Sequence, residues 1–167
     1  MTREPAQVRR VEVALVLTVA ALAAALLAVH ARPPPPPSPY CRGGAPLAGV
    51  YHPTRLHVRK HCAVATGVVT RVKFEEFDGD VHVDLRLDNG QKLVVEVIPQ
   101  DRSVVTIPDT GTRVTVVGPL VDDLQHGWPE IHPAWWISSG RIVPASASEL
   151  ARVTSLLGDT DGDKEER

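Results

Sequence analysis

The segment from His126 to Trp136, H-G-W-P-E-I-H-P-A-W-W, concentrates residue types that can do chemistry. It holds all three tryptophans and two of the seven histidines of a chain that is only 4% aromatic. Its histidines and the glutamate between them can ligate a metal or transfer a proton, and its tryptophans can stack on a ligand. The segment therefore predicts a binding surface, with an aromatic plug of the hydrophobic core as the alternative.

A second polar group follows the acidic stretch at residues 75–80. Asp80, His82 and Asp84 fall on one strand face because successive side chains of a strand point to opposite faces, and Glu130 and His132 share a face of another strand for the same reason. Imidazole with carboxylate suits zinc or manganese, whereas carboxylates alone suit calcium. A histidine oriented by a carboxylate is also a candidate general base.

The elements that must position these residues are mostly β-strands. Runs rich in Val and Thr, and alternation of apolar with polar residues, predict five strands at 63–73, 80–87, 91–98, 112–121 and 131–137. The Asp88-Asn89-Gly90 sequence predicts a hairpin with a type I′ turn. A capping-box pattern from Ser146 to Glu149 predicts a short helix through Leu157, ended by Gly158. The fold class is therefore mainly β: a small five-stranded Greek-key barrel of the OB type with one C-terminal helix, or alternatively a sandwich.

The barrel prediction brings distant segments together. In an OB-type barrel the loop between strands 1 and 2 and the loop between strands 4 and 5 flank the same ligand face. We therefore expect one ligand or metal rim formed by Asp80, His82, His126, Trp128, Glu130 and His132. A structural interpretation stays open beside it, since Asp78-Gly79 is typical turn chemistry and loop histidines can simply bond backbone carbonyls.

The N-terminal residues predict where the domain resides. Residues 13–29 carry no charge and are nearly all Ala, Val and Leu, and 17 such residues are just enough to cross a bilayer. Because the arginines lie mainly before this run, we expect 1–12 to be cytoplasmic, 13–29 to be a single transmembrane signal-anchor, and the following domain to lie outside. The alternative is a signal peptide cleaved near Ala31, which would give a secreted protein. Six prolines, five of them consecutive at 33–37, make 30–39 a stiff linker.

The rest of the chain predicts one domain at 40–157 and a disordered charged tail at 158–167. Within residues 38–158, 12 Lys and Arg face 13 Asp and Glu, a net charge of −1. Without a basic stripe, non-specific nucleic-acid binding is not expected.

The chain has two cysteines, Cys41 and Cys62. In an exported domain an even count predicts a disulfide, here one that fastens the irregular segment 42–61 to the first strand. A zinc site using both cysteines with His57 or His61 is the alternative.

Several of these elements together resemble a family of exported bacterial proteins described only as uncharacterised OB-like domains. The resemblance rests on Cys62 with the valine-rich strand after it, on Asp78-Gly79-Asp80-x-His82, on L-V-V-E-V-I-P at 93–99 and on H-G-W-P-E-I-H-P. It covers about residues 60–138 and implies the OB-like fold, with no established activity. The Asp-Gly-Asp turn also resembles the calcium-ligand turn of thermonuclease-like OB-folds. The Arg and Asp-Thr-Pro-Glu elements of that family have no match in Val97-Ile98-Pro99-Gln100-Asp101.

The sequence thus favours a membrane-tethered, extracytoplasmic OB-like binding module of unknown ligand. The alternative is a metal-dependent hydrolase of phosphodiesters that uses the same rim. A divalent metal is the candidate cofactor, and the membrane and a protein partner are the candidate associations. The two functions differ in one requirement, since an enzyme needs an open coordination position and a cleft.

Overall fold

A computed structural model of the protein describes residues 38–159. The predicted cytoplasmic segment 1–12, the predicted span 13–29, residues 30–37 of the linker and residues 160–167 of the tail lie outside the described residues. Within the part that is described, no helix is long and apolar enough to cross a membrane.

Six strands and one helix make up the described chain. They are β1 (Leu56–Phe74), β2 (Val81–Leu87), β3 (Lys92–Val97), β4 (Arg113–Asp123), β5 (Trp128–Ile131), β6 (Trp136–Ile137) and α1 (Ala147–Asp159), with 3₁₀ turns at Pro53–Arg55 and Pro99–Asp101. The prediction of a mainly β domain with one C-terminal helix is confirmed.

Five of the strands form a ring. They pair in the order β1-β2-β3-β5-β4, and β1 pairs again with β4 to close the ring. Every neighbouring pair in the ring is antiparallel except β3 with β5, which is parallel. The two-residue β6 pairs with β4 outside the ring.

Local sequence patterns explain most of these elements. In β2 the apolar residues Val81, Val83 and Leu85 are buried, and the residues between them are partly exposed. The hairpin after β2 is confirmed, but its predicted turn type is wrong: Gly90 alone has a positive φ, of 81°, whereas a type I′ turn also requires one at Asn89. Gly90 N–H donates to the Leu87 carbonyl at 2.9 Å, which fits a type I turn followed by a left-handed glycine.

Several element boundaries differ from the predictions, and β4 continues to Asp123 instead of ending at residue 121. The first strand begins at Leu56 rather than residue 63, because its N-terminal half pairs with β4. The predicted strand 131–137 is divided into β5 and β6, since Pro133 has no N–H to donate to a strand ladder. The helix continues past Gly158 to Asp159.

The hydrophobic core lies inside the ring, with a smaller apolar cluster outside it. Alternate residues of β1 to β5, together with Val105, Ile107, Ala134 and Ile137 of β6, form the core. The smaller cluster consists of Leu47, Val50, Leu56, Val58, Ile98 and Val121. The predicted disulfide is confirmed: Cys41 and Cys62 are bonded and fasten the N-terminal segment to β1. Both thiols are thereby used, which excludes the Cys/His zinc alternative.

Candidate metal centre

Three polar side chains lie on the outer face of the ring, which we define as the face opposite to the core. His82, Glu96 and Glu130 each neighbour core residues along their own strands, so their side chains point outward. His82 is directly opposite Glu96 across β2 and β3, and Glu130 is opposite Val94 across β3 and β5. An outward carboxylate is normally solvated, yet Glu96 is 1% exposed and Glu130 is 0% exposed.

The segment fastened by the disulfide helps to bury this part of the outer face. Val121 is the cross-strand neighbour of Glu130, and it packs with Leu47 and Val50 in the smaller apolar cluster. Arg42 of the same segment also pairs with Asp101, their atoms 2.7 Å apart. Because apolar residues cover this region, the carboxylates beneath it are buried from bulk solvent.

Two short segments add further buried polar residues. Asp80 follows a tight turn in which its N–H donates to the Asp78 carboxylate at 3.2 Å and Gly79 has a φ of 77°. His132 directly follows β5, and the chain after it is fixed by the Ala134 N–H donating to the Glu96 carbonyl at 2.7 Å. We call Asp80, Glu96, Glu130 and His132 the buried cluster.

His132 is the centre of the buried cluster. Its Nδ1 lies 2.9 Å from Glu96 Oε2 and 3.6 Å from Glu130 Oε2, and its Nε2 lies 3.5 Å from Asp80 Oδ2. Whichever ring nitrogen binds a cation, the other therefore faces a carboxylate that can orient the ring.

The contacts in the buried cluster are close but poorly aligned. Five atoms of the buried cluster have no partner with hydrogen-bond geometry among the described residues. They are both ring nitrogens of His132, both carboxylate oxygens of Glu96 and Oε2 of Glu130. A buried polar group left without such a partner costs about 1–3 kcal/mol. Native proteins usually satisfy such groups, so the arrangement is incomplete as a purely structural network.

Burial and mutual charge set the protonation states of the buried cluster. Burial raises the pKa of Asp80 well above its ordinary value, and the nearby His132 only partly opposes this. Burial also favours a neutral Glu96, but the positive charge of the nearby His132 ring lowers the pKa of Glu96 to about 2. Burial disfavours the charged imidazole, yet Glu96 and Glu130 raise the pKa of His132 to about 10. At neutral pH a His132 cation thus faces an ionised Glu96.

Three members of the buried cluster form a set of candidate metal ligands. One ligand atom each from Asp80, Glu96 and His132 lies within 4.8 Å of the others, and all three residues are buried. We call these three residues the ligand set. Two carboxylates with one imidazole are donors that suit zinc or manganese.

A second group of candidate ligands, Asp123, His126 and Glu130, is already occupied by protein donors. The Asp123 carboxylate accepts from the backbone N–H groups of Gln125 and His126 and lies 2.9 Å from His126 Nδ1. Arg55 Nε is 3.4 Å from the same carboxylate and supplies a positive charge there. The Asp123 carboxylate of this group is therefore already paired, whereas Glu130 Oε2 has no hydrogen-bond partner among the described residues.

Trp128 is an exposed aromatic side chain that contacts the buried cluster. Its indole N–H donates to Glu130 Oε1 at 2.6 Å, and its ring stacks on His126 with centroids 4.7 Å apart. It also lines a groove of about 310 Å³ on the outer face, together with Val94, Lys92 and five other residues. The tryptophan ring is thus held in a fixed orientation at the wall of an open groove.

The structure divides the six residues of the predicted rim. Asp80, Glu130 and His132 lie together in the buried cluster, and His82 contacts this cluster through Glu96. His126 and Trp128 are exposed and lie beside Asp123. The prediction that these residues bind a ligand or a metal stays a prediction.

Sequence reasoning missed Glu96 and Asp123. Glu96 lies in L-V-V-E-V-I, and a lone charge inside an apolar run was the signal that could have identified it. Asp123 is the last residue of β4, and its role depends on the turn that follows.

A comparison with known protein families and with curated proteins found no match for this sequence.

Proposed function

We propose that this protein is a membrane-tethered, extracytoplasmic OB-like module that binds a divalent cation through Asp80, Glu96 and His132. The strand order, the closure of the ring by β1 and β4, and the parallel pairing of β3 with β5 support a Greek-key barrel of the OB type.

A single observation carries the cation proposal. His132 is 1% exposed and has carboxylates against both ring nitrogens, but none of these contacts has hydrogen-bond geometry among the described residues. A divalent cation would accept one ring nitrogen and two carboxylate oxygens as ligands, and the remaining N–H would then face a carboxylate. One ring nitrogen of His132 and one oxygen of Glu96, both unpaired among the described residues, would thereby become ligands.

Burial favours binding over the hydrolase alternative. A catalytic metal keeps a coordination position open to water or substrate, whereas a structural site is closed. All members of the ligand set are 3% exposed or less. The groove beside Trp128 lies on the same face of the ring, so hydrolysis of a phosphodiester remains the second candidate if a bound cation proves accessible from that groove.

The proposed location rests on the sequence and on the disulfide. Disulfides persist in oxidising compartments, which agrees with a domain outside the cytoplasm. The apolar run at 13–29 would anchor the chain, and the proline-rich linker would hold the domain away from the membrane. The exposed surface around Trp128 is where we propose that a protein partner or other ligand docks.

Thermal melting of the full chain in detergent tests the proposal. After chelation, zinc, manganese and calcium are added separately, and a cation that binds only the folded state raises the stability by about 2.7 kcal/mol at one hundred times its dissociation constant. We expect one cation to raise the midpoint in the parent and in His126→Ala but not in His132→Ala. If no cation raises the midpoint of the parent, the buried cluster is an ion-pair network of the fold and the proposal fails.

A further inference from the structure

Three solvent-accessible side chains next to the buried cluster are candidate points of cation entry. Trp128 donates to Glu130 and His82 faces Glu96. Arg55 pairs with Asp123, and its charge acts on Asp80 and Glu96.

Two of the three points do not suit a cation. Arg55 carries a positive charge, which repels a second cation. Trp128 presents an N–H donor to the Glu130 carboxylate and offers no oxygen or imidazole ligand of its own. Entry at either point would require a cation to shed water without receiving a replacement ligand.

The third point presents ligands in sequence from the surface inward. His82 Nδ1 lies 3.5 Å from Glu75 Oε1, and His82 Nε2 lies 3.3 Å from Glu96 Oε1. The side chains of Glu75 and His82 are 25% and 22% exposed, whereas Glu96 is buried. Glu96 Oε1 has no hydrogen-bond partner among the described residues, although it faces His82.

The exposed Lys73 does not block this point. Its Nζ lies 2.7 Å from Glu75 Oε1, but its side chain is 55% exposed. An ion pair at the surface contributes little to stability, so a divalent cation can displace the lysine from the carboxylate.

On the basis of the cation site proposed above, we infer that Glu75 and His82 form an outer loading site. Through it a divalent cation reaches Asp80, Glu96 and His132. Glu75 and His82 Nδ1 take up the hydrated cation at the surface. Glu96 then receives it, since its Oε1 faces His82 and its Oε2 faces His132. His82 is not a member of the final ligand set.

A loading site has a kinetic signature that distinguishes it from a ligand. A residue on the entry path lowers or raises the barrier for entry and exit alike, so its replacement changes both rate constants and leaves their ratio unchanged. Replacing a residue that orients or binds the cation at its final site instead weakens the affinity for the cation, typically by about 10–100-fold.

Zinc exchange of the full chain tests the inference. Stopped-flow mixing with zinc gives the association rate constant, and transfer of bound zinc to a chromophoric chelator gives the dissociation rate constant. For His82→Gln we expect both to fall by about tenfold, with a dissociation constant close to that of the parent. Asp84→Asn is the matched control, because Asp84 is the next outward residue of β2 and pairs with Arg71 instead of the cluster. Glu75→Gln, at a partly exposed position, is the second test variant and should slow association.

The outcomes separate the two proposals. If the parent binds zinc and both test variants exchange it at the parental rates, the loading site is wrong and the cation site stands. If His82→Gln weakens affinity because only dissociation accelerates, His82 is a ligand and the inference is overturned. If the parent binds no zinc, manganese or calcium, the cation site and the loading site fail together.

Discussion

Replacing Glu96 with glutamine should strongly destabilise the cation-free protein. Glutamine keeps the size of the side chain but removes the negative charge that faces the His132 cation at 2.9 Å. Removing one partner of a buried ion pair leaves an uncompensated buried charge, which typically costs about 3–5 kcal/mol.

The size of the loss follows from the pKa of His132. The pKa is raised from 6.5 to about 10, and Glu96 is the largest favourable contributor. At pH 7 this difference in pKa stabilises the folded protein by about 4 kcal/mol, and Glu96→Gln should remove most of that stabilisation. Because the pKa is higher in the folded state than in the unfolded state, this stabilisation is fully present below about pH 6.5 and is lost as the pH rises through about 10.

Urea unfolding of chelated protein at several pH values measures the effect. Asp84→Asn is the matched control, because it also converts a carboxylate to an amide but at a pair with Arg71 that is largely exposed. Such a surface pair contributes about 0–1 kcal/mol, so the control should lose little.

The comparison between the two variants can refute the reasoning. A loss for Glu96→Gln no larger than that for Asp84→Asn at pH 7 would show that the buried pair carries no net stabilisation. A loss that grows rather than shrinks between pH 7 and pH 10 would show that His132 is not the charged partner.

Three further predictions concern the rest of the fold. Gly118→Ala should lower stability by about 1–3 kcal/mol in thermal melts, because the added Cβ would lie 2.5 Å from the Pro133 carbonyl oxygen. Glu149→Gln should cost about 1 kcal/mol at pH 7, because the carboxylate caps α1. Capping and Arg102 hold the pKa of Glu149 at about 2, so its contribution is present above about pH 4.5 and disappears as the pH falls through about 2. Loss of the disulfide in Cys41→Ser/Cys62→Ser should lower the urea-unfolding free energy by about 3 kcal/mol.

Each of these three predictions has a matched control that can contradict it. Gly43→Ala places its Cβ with nothing within 4 Å, so an equal loss there would show that crowding is not the cause at Gly118. Glu76→Gln changes an exposed glutamate, and an acid profile that matches that of Glu149→Gln would remove the capping explanation. Addition of a dithiol reductant to the parent should reproduce the double serine variant.

The strands with strong local patterns could be predicted from the sequence. The alternation of β2 and the Asn89-Gly90 turn after it depend only on neighbouring residues, and both were recognised. The first half of β1 could not be predicted, because the consecutive polar residues Arg59, Lys60 and His61 interrupt the alternation of apolar and polar side chains. That half is stabilised by pairing with β4, more than fifty residues later in the chain.

The buried cluster was only partly predictable for a similar reason. The spacing of Asp80 and His82, and of Glu130 and His132, indicated residues on shared strand faces, but an outward strand face is ordinarily exposed. Its burial depends on the N-terminal segment that the disulfide fastens over the ring, which is a long-range contact. Glu96 was therefore missed although it is the residue that joins His82 to His132.

Equilibrium dialysis of the full chain followed by elemental analysis tests the central claim most directly. The claim predicts about one zinc or manganese ion per chain in the parent and in His126→Ala, and far less in His132→Ala and in Asp80→Asn. Calcium bound in place of these metals would still support a cation site, and it would indicate that carboxylate oxygens supply most of the ligands. A parent with no bound cation, or a His132→Ala variant that retains the full amount, would contradict the claim.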